Sequence, residues 1–181
     1  MNDRGYNPQE ERLAMLEFGN VHDIDVLDIG AGRAELAIIA AGKRGCRVTC
    51  VDPDPAKLAR AADWVSQAGL AGRVTFETGD ARRLRFPDGH FTCVLCYSVL
   101  HHVVKEGREA MVAELVRVAR ESVLFSELTP AGAKFFDEVL HPGESHVANL
   151  VDKAWLTSQL AGLGKIYIVG RTFTYFVMLV K

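Results

Sequence analysis

A glycine-rich turn between an apolar strand and a helix constrains this chain more than any other segment. The stretch VLDIGAGRAEL spans residues 26–36; it opens with strand formers and ends in a helical pattern. Gly30 and Gly32 let the backbone bend sharply and approach a ligand closely, and the free amides at the start of the helix face the turn. A second apolar run, RVTCVD, ends at Asp52. This layout predicts a βαβ unit with a nucleotide-cofactor site in which the acid binds a ribose.

The third glycine position of the turn separates two classes of cofactor. Dinucleotide sites favour GxGxxG, whereas counting from Gly30 gives GAGRAE, so Glu35 would set a carboxylate beside a pyrophosphate. S-adenosylmethionine has no phosphate and carries a net positive charge on its sulfonium and ammonium groups. An acidic loop with Asp28 before the glycines suits that charge. The sequence therefore favours a methyl donor over a hydride carrier.

Four motifs in order resemble those of a known enzyme family. The segments VLDIGAG, CVDPD, ETGDARRLRFPDGHF and CYSVLHHV follow one another along the chain. Together they resemble the class I S-adenosylmethionine-dependent methyltransferases, in particular the small-molecule branch that is similar to ubiquinone and menaquinone methyltransferases. The resemblance is specific over residues 26–118 and looser to residue 181. Two positions depart from the pattern, because Ala34 stands where a third glycine is common and Thr92 where an aspartate usually follows the phenylalanine.

The resemblance implies a set of residues that bind the cofactor. It places Asp28 near the ammonium group, Asp52 on the ribose hydroxyls and Asp80 against the adenine amino group. Pro53 would form an apolar wall for adenine, and the ring of Tyr97 would face the sulfonium, which is attracted to an aromatic face as ammonium ions are. The full set is Asp28, Gly30, Gly32, Asp52, Pro53, Gly79, Asp80, Ala81, Tyr97 and Ser98.

Five side chains around the expected pocket could act as a general base, namely His101, His102, Glu127, His141 and His146, and the three selected are His101, His102 and His141. Methyl transfer proceeds largely by alignment, which supplies up to roughly 7–11 kcal/mol, and a base adds about 10²- to 10⁴-fold where the acceptor must lose a proton. His101 and His102 follow the fourth predicted strand at the carboxyl edge of the sheet, where ligands bind in open α/β folds. His141 lies farther along the chain. A catalytic role for the three is one interpretation, and a structural or cofactor-side role for the first two is the other.

Neither cysteine nor histidine spacing predicts a metal site. His141 and His146 occur in HPGESH without a clear third ligand. Cys93 and Cys96 form a CxxC, but residues three apart on a strand point to opposite faces and cannot bind one ion together. We therefore expect no metal ion.

Alternating strand and helix patterns predict the fold class. We expect a single α/β domain over residues 1–181, a Rossmann-like three-layer sandwich with a mostly parallel seven-stranded sheet and an antiparallel C-terminal hairpin. Residues 1–24 would form an N-terminal lead-in and lid, and residues 129–150 a candidate acceptor pocket. The predicted strands are 25–29, 47–51, 74–77, 91–97, 123–127, 165–169 and 174–180, and the later helices are 109–119 and 153–163.

Composition narrows the partners. The formal net charge is −2 over 181 residues, which argues against a general nucleic-acid binder because phosphate neutralisation needs a basic surface. The chain has no apolar run of the roughly 20 residues needed to span a bilayer and no N-terminal signal segment, so we expect a cytoplasmic protein. A homodimer is compatible with the sequence.

The expected function is S-adenosylmethionine-dependent methyl transfer to a small-molecule acceptor. After the fourth strand the chain reads CYSVLHH, and it lacks the Asn/Asp-Pro-Pro-aromatic tetrapeptide with which amino-methylating nucleic-acid and protein enzymes hold a planar amino group. Two alternatives stay open. One is an RNA or protein methyltransferase that uses a partner's binding surface, and the other is a non-catalytic S-adenosylmethionine-binding regulatory homologue.

Overall fold

Seven strands form one sheet in the computed structural model, which describes residues 5–181. The sheet order is β3-β2-β1-β4-β5-β7-β6. The first five strands pair in parallel, and β7 runs antiparallel to both β5 and β6. The predicted fold class, with its antiparallel C-terminal hairpin, is therefore confirmed. The strands are β1 (Asp25–Ile29), β2 (Arg47–Asp52), β3 (Val74–Thr78), β4 (Phe91–Tyr97), β5 (Ala119–Leu128), β6 (Lys165–Gly170) and β7 (Thr174–Val180).

Six α-helices cover the two faces of the sheet or cross its carboxyl edge. Helices α1, α2 and α3 pack on one face, and α4 and α6 pack on the other. Asp54 caps α3, because its side chain accepts hydrogen bonds from the amides of Ala56 and Lys57, and the proline that follows Asp54 occupies the first helical position, where no amide is needed. The helices are α1 (Pro8–Phe18), α2 (Glu35–Arg44), α3 (Pro55–Gln67), α4 (Lys105–Val118), α5 (Pro130–Phe135) and α6 (Lys153–Leu160).

The central strand β4 separates two apolar cores. Cys93 lies in the core beneath α1–α3, whereas Cys96 lies in the core beneath α4 and α6. The two thiols therefore point to opposite faces, as their spacing predicts. Thr92 is buried at the amino end of the same strand and accepts a hydrogen bond from Arg120. This departure from the family pattern is thus at the edge of the sheet opposite the predicted site.

Three predicted boundaries are wrong. Helix α4 begins at residue 105 rather than 109. Gly107 lowers the helix propensity of the first turn, which led to the later predicted start. In the structure an added Cβ at Gly107 would lie 3.2 Å from the side chains of Arg82 and Val103, so close packing favours glycine inside the helix. Strand β5 begins at residue 119 rather than 123, because Ala119 pairs with Phe91 of β4 and the polar residues that follow it lie in an irregularity of register before pairing resumes at Ser122. Helix α6 ends at residue 160 rather than 163, before Gly162 at a φ of 80°.

The strand order places the functional residues at one edge. The order of the strands reverses between β1 and β4, because β2 and β3 lie on one side of β1 and β4 and β5 lie on the other. Ligands bind at such a reversal point in open α/β folds. The carboxyl ends of β1, β2, β4 and β5 meet there, and residues 129–150 continue directly from β5. Among residues 5–181, no helix combines the length and the apolar character needed to cross a membrane.

Candidate cofactor and acceptor site

The glycine turn after β1 adopts the left-handed backbone that its sequence predicts. Gly30 has a φ of 83°, its amide donates to the Val51 carbonyl at 2.8 Å, and an added Cβ would lie 2.8 Å from the side chain of Val99. Gly32 and Ala34 follow with φ values of 48° and 55°. Ala34 therefore occupies a left-handed position, which explains why glycine is common there.

Asp52 is held beside this turn by two backbone amides. Its side chain is 5% exposed. One carboxylate oxygen accepts from the Ala31 amide at 3.1 Å, and the other accepts from the Asp54 amide at 2.9 Å. Because each carboxylate oxygen has a further lone pair, both can still accept a hydrogen bond from a vicinal diol. Pro53 follows directly and begins the turn into α3.

Asp28 is buried in the strand that leads into the turn. It is 3% exposed, and the Cys50 thiol donates a weak hydrogen bond to it at 3.9 Å. Burial raises the pKa of Asp28 to about 8, although the charge of Arg12 opposes the rise. A bound cation would restore the ionised carboxylate, so this residue fits the neighbourhood of an ammonium group.

Asp80 lies in the turn after β3 and is engaged by an arginine. The Arg82 guanidinium binds its carboxylate at 2.6 Å, and the Arg82 amide donates to it at 2.9 Å. The side-chain hydrogen bond with Arg82 lowers the pKa of Asp80. Gly79 and Asp80 line a groove of about 690 Å³ along β3, with Ala81 next in the chain. The adenine role assigned to these three residues stays a prediction.

The end of β4 carries an aromatic ring that already faces a cation. The Arg12 guanidinium lies 4.8 Å from the centre of the Tyr97 ring, and it also pairs with Glu35 at 2.7 Å. Burial raises the pKa of Tyr97 well above its usual value, so the phenol stays neutral. Ser98 follows with a φ of 55°, a strained conformation of the kind found at functional sites. The sequence assigned Arg12 to the N-terminal lead-in but carried no signal for its contact with Tyr97.

His101 is fixed by a carboxylate from the neighbouring strand. Its Nδ1 lies 2.7 Å from Glu127 Oε2, and the other oxygen of Glu127 accepts from the Leu100 amide at 2.9 Å. Both side chains are buried. The His102 ring stands 4.2 Å from the His101 ring, centre to centre. Partial burial and the imidazoles of His101 and His146 lower the pKa of His102 to about 4.

The segment after β5 brings a further histidine to this pair. His146 is buried, its Nδ1 lies 2.6 Å from Asp137, and its ring centre lies 5.3 Å from that of His101. Asp137 also accepts from the amides of His146 and Val147. His141 is half exposed and its ring lies 6.0 Å from that of His146. The sequence placed His146 in the same pocket region as His101 but did not predict the contact between their rings.

The N-terminal segment packs against residues 129–150. The Tyr6 ring lies 6.0 Å from Phe135 and 5.3 Å from Phe136. Phe135 is 3% exposed whereas Phe136 is partly exposed, so one ring of the adjacent pair fills the core and the other faces the segment's surface. The predicted lead-in of residues 1–24 begins outside the described residues, which start at Gly5.

A single turn between β6 and β7 anchors both segments. Arg171 and Thr174 hydrogen-bond to the buried carboxylate of Glu11 in α1. The Thr129 amide donates to the Phe173 carbonyl at 3.0 Å, and its hydroxyl donates to the Thr172 carbonyl at 2.9 Å. The turn over residues 171–174 therefore holds the beginning of the chain and the start of the 129–150 segment together.

The reversal of strand order, the left-handed glycine turn and the acid held at the end of β2 define a class I cofactor-binding α/β enzyme. Residues 26–122 match the family described as a methyltransferase domain. The chain belongs to the class I S-adenosylmethionine-dependent methyltransferases.

Three known proteins illustrate the relationship. The 2-heptyl-1-hydroxyquinolin-4(1H)-one methyltransferase of Mycobacteroides abscessus is 30% identical over 169 residues, which cover 92% of this chain and 73% of that protein. The norajmaline N-methyltransferase of Rauvolfia serpentina is 31% identical over 112 residues, which cover 58% of this chain and 37% of that protein. The magnesium protoporphyrin IX methyltransferase of Synechocystis PCC 6803, solved with bound S-adenosylhomocysteine (SAH), has a TM-score of 0.74 at 21% identity, covering 96% of this chain and 83% of that one. The expected enzyme class and methyl donor are confirmed.

Proposed function

We propose that this enzyme methylates a small aromatic acceptor that carries a hydroxyl group. The observation that carries the proposal is the position of the histidines: His101 and His102 lie side by side at the carboxyl edge of the sheet, and His141 lies beyond His146 in the segment after β5. The relative from Mycobacteroides abscessus is named for a hydroxylated quinolone and that from Rauvolfia serpentina for an alkaloid amine. Both named acceptors are small molecules, which supports this substrate class.

We assign the donor side to the residues that the sequence singles out. When bound, S-adenosylmethionine supplies a methyl group activated by positive sulfur. Asp52 would bind the ribose hydroxyls, Asp28 the ammonium group and Asp80 the adenine amino group. Pro53 and Tyr97 would provide the apolar and aromatic contacts. At the remaining positions the backbone would approach the donor. These positions are Gly30, Gly32, Gly79, Ala81 and Ser98.

We assign the acceptor side to residues 129–150 together with the N-terminal segment around residues 6–12. The contact of Tyr6 with Phe136 supports this assignment, because it gives the two segments a common apolar surface. A hydroxyl acceptor must lose a proton, and the histidines offer ring nitrogens to receive it. Glu127 orients His101 for such a role by occupying its Nδ1. His141 lies at the exposed rim of the segment, where an entering molecule would meet it.

Calorimetry with S-adenosylmethionine and SAH tests the donor site. We expect micromolar binding, equivalent to about −8 kcal/mol. Hydrogen bonds to charged groups are worth about 1.5–3 kcal/mol each, so Asp52→Ala should weaken both ligands at least tenfold. Asp63→Ala, on the exposed face of α3, is the matched control and should leave affinity unchanged. No heat and no thermal shift at millimolar ligand would contradict the proposal.

A screen of labelled donor against hydroxylated aromatic compounds tests the acceptor. Label transfer to a hydroxyl oxygen supports the proposed reaction. Donor binding without turnover of any acceptor, combined with capture of a stoichiometric protein partner, would favour the regulatory homologue instead. Transfer only to RNA or protein in the presence of a partner would favour the other alternative.

We also propose a cytoplasmic location. The described residues include four cysteines, all free and buried, which suits a reducing compartment.

The exposed apolar side chains of β6, among them Tyr167 and Ile168, are compatible with a homodimer. Measuring the mass in solution will decide between monomer and dimer.

A further inference from the structure

We propose that His101, His102 and His146 bind one divalent transition-metal ion beside the donor site. One ring nitrogen from each histidine lies within 4.8 Å of the other two. Two nitrogens bound to a tetrahedral Zn²⁺ at about 2.0–2.1 Å are roughly 3.4 Å apart, so small side-chain rotations bring the three into coordination. This inference goes beyond methyl transfer, since the ion would bind whether or not the donor is present.

The environment of the histidines is the first support for a metal. Metal-binding imidazoles almost always donate their second ring N–H to a carboxylate or carbonyl, which fixes the ring and raises its basicity. His101 meets Glu127 in this way at 2.7 Å, and His146 meets Asp137 at 2.6 Å, both through Nδ1. The Nε2 atom of each ring is then the one available to an ion.

The position of Glu144 is the second support. Its carboxylate Oε2 lies 3.2 Å from His146 Nε2, and Nε2 is the nitrogen that would bind the ion. A nitrogen and an oxygen bound to the same tetrahedral ion are also about 3.4 Å apart. Glu144 is half exposed and can follow the ion as it binds. Glu144 is therefore the candidate for a fourth ligand beside the three histidines.

The ligand atoms select the class of metal. Imidazole nitrogens suit zinc, cobalt and nickel, whereas Ca²⁺ and Mg²⁺ prefer shells of oxygen atoms. The carboxylates of Glu127, Asp137 and Glu144 offset the charge of a divalent ion, and the positive Lys57 near His102 opposes it. With His101 and His102 serving as ligands, His141 would remain as the proton acceptor.

The sequence predicted no metal because His141 and His146 lacked a third partner. In the structure His146 groups with His101 and His102 instead of His141, and His101 lies 45 residues earlier in the chain. Folding of residues 129–150 over the carboxyl edge brings His146 and His101 together. The expectation of a metal-free site and the present proposal therefore make opposite predictions for one experiment.

Titration of the chelator-stripped, untagged protein with Co²⁺ tests the proposal. Tetrahedral Co²⁺ with nitrogen ligands absorbs visible light far more strongly than the hydrated ion does. We expect the absorption to saturate at one equivalent, to be absent in His146→Ala and to be unchanged in His22→Ala, an exposed histidine remote from the cluster. Asp137→Asn, which keeps all the ligands, should weaken binding by about 10- to 100-fold.

Wild-type protein without the absorption band, or a band of equal strength in His146→Ala, would overturn the metal site. SAH binding to each metal-stripped variant reports whether it is folded. If His146→Ala fails that check, His102→Ala, with its partly exposed ring, takes its place and should lose the band. SAH binding to the metal-stripped wild type tests the donor site separately, so failure of the metal proposal and failure of the proposed function are distinguishable.

Discussion

The pH dependence of donor binding tests whether Asp28 receives the ammonium group of S-adenosylmethionine. Burial raises the pKa of Asp28 to about 8 in the free protein, so the carboxyl group is mostly protonated at pH 7. A cation bound beside it favours the charged form. Donor binding should therefore expel a proton, and the affinity should rise with pH until the carboxylate is ionised before binding.

The expected magnitude follows from that pKa. A carboxyl group with a pKa near 8 is about 1% ionised at pH 6 and about half ionised at pH 8. If the ionised form alone accepts the ammonium group, ionisation of Asp28 by itself raises the association constant about 50-fold over this range. Partial loss of the ligand's ammonium proton by pH 8 reduces the net rise to about 20-fold, equivalent to about 1.8 kcal/mol. An α-amino group loses its own proton at about pH 7.7–8.0. The affinity should therefore reach a maximum near pH 8 and decline above it.

Calorimetry with SAH at pH 6, 7, 8 and 9 measures this profile. Repeating the pH 7 titration in two buffers of different ionisation enthalpy counts the protons released, and we expect nearly one per ligand. Asp28→Asn should abolish both the release and the rise in affinity, while Asp63→Asn should keep them. A flat affinity profile in the wild type, with no proton released, would refute the role assigned to Asp28.

Three further predictions concern stability, the acceptor pocket and adenine. The raised pKa of Asp28 means that its contribution to stability is lost as pH rises from about 4 through 8, so Asp28→Asn should raise the melting temperature more at pH 9 than at pH 5. Phe136→Ala and His141→Ala, made separately, should each reduce methyl transfer with donor affinity preserved, and unchanged turnover in both would refute the pocket assignment. Asp80→Ala should weaken SAH binding about tenfold, as expected for one hydrogen bond to a charged group; if calorimetry gives the same affinity as the wild type for this variant and for Asp52→Ala, the residue assignment is wrong.

The geometry of the glycine turn and the position of Asp52 were predictable because their signals are local. The glycine turn needs a left-handed backbone at Gly30, and Asp54 with its following proline starts α3, so each motif fixes its own geometry within a few residues. The strand that precedes Asp52 places that acid at the sheet edge without reference to the rest of the chain. These positions follow from backbone conformation and capping chemistry.

The contacts made by residues 129–150 and by Arg12 were less predictable because they join distant parts of the chain. His101 and His146 have no shared periodicity, and their proximity depends on the path of residues 129–150 over the sheet edge. Arg12 reaches the Tyr97 ring from a helix that the sequence marks only as amphipathic. The start of α4 also depends on tertiary packing. The low helix propensity of Gly107 argues against a helix there, but its close contact with Arg82 leaves little room for a side chain.

The turn over residues 171–174 links two segments that are far apart in the chain. It fixes α1 through Glu11 and the 129–150 segment through Thr129, yet it has no part in the glycine turn or in the position of Asp52. A longer turn would therefore displace α1 and the 129–150 segment together, and through Arg12 it would also reach Tyr97. A single short connection therefore sets the relative position of α1 and the 129–150 segment, the two segments to which we assign the acceptor.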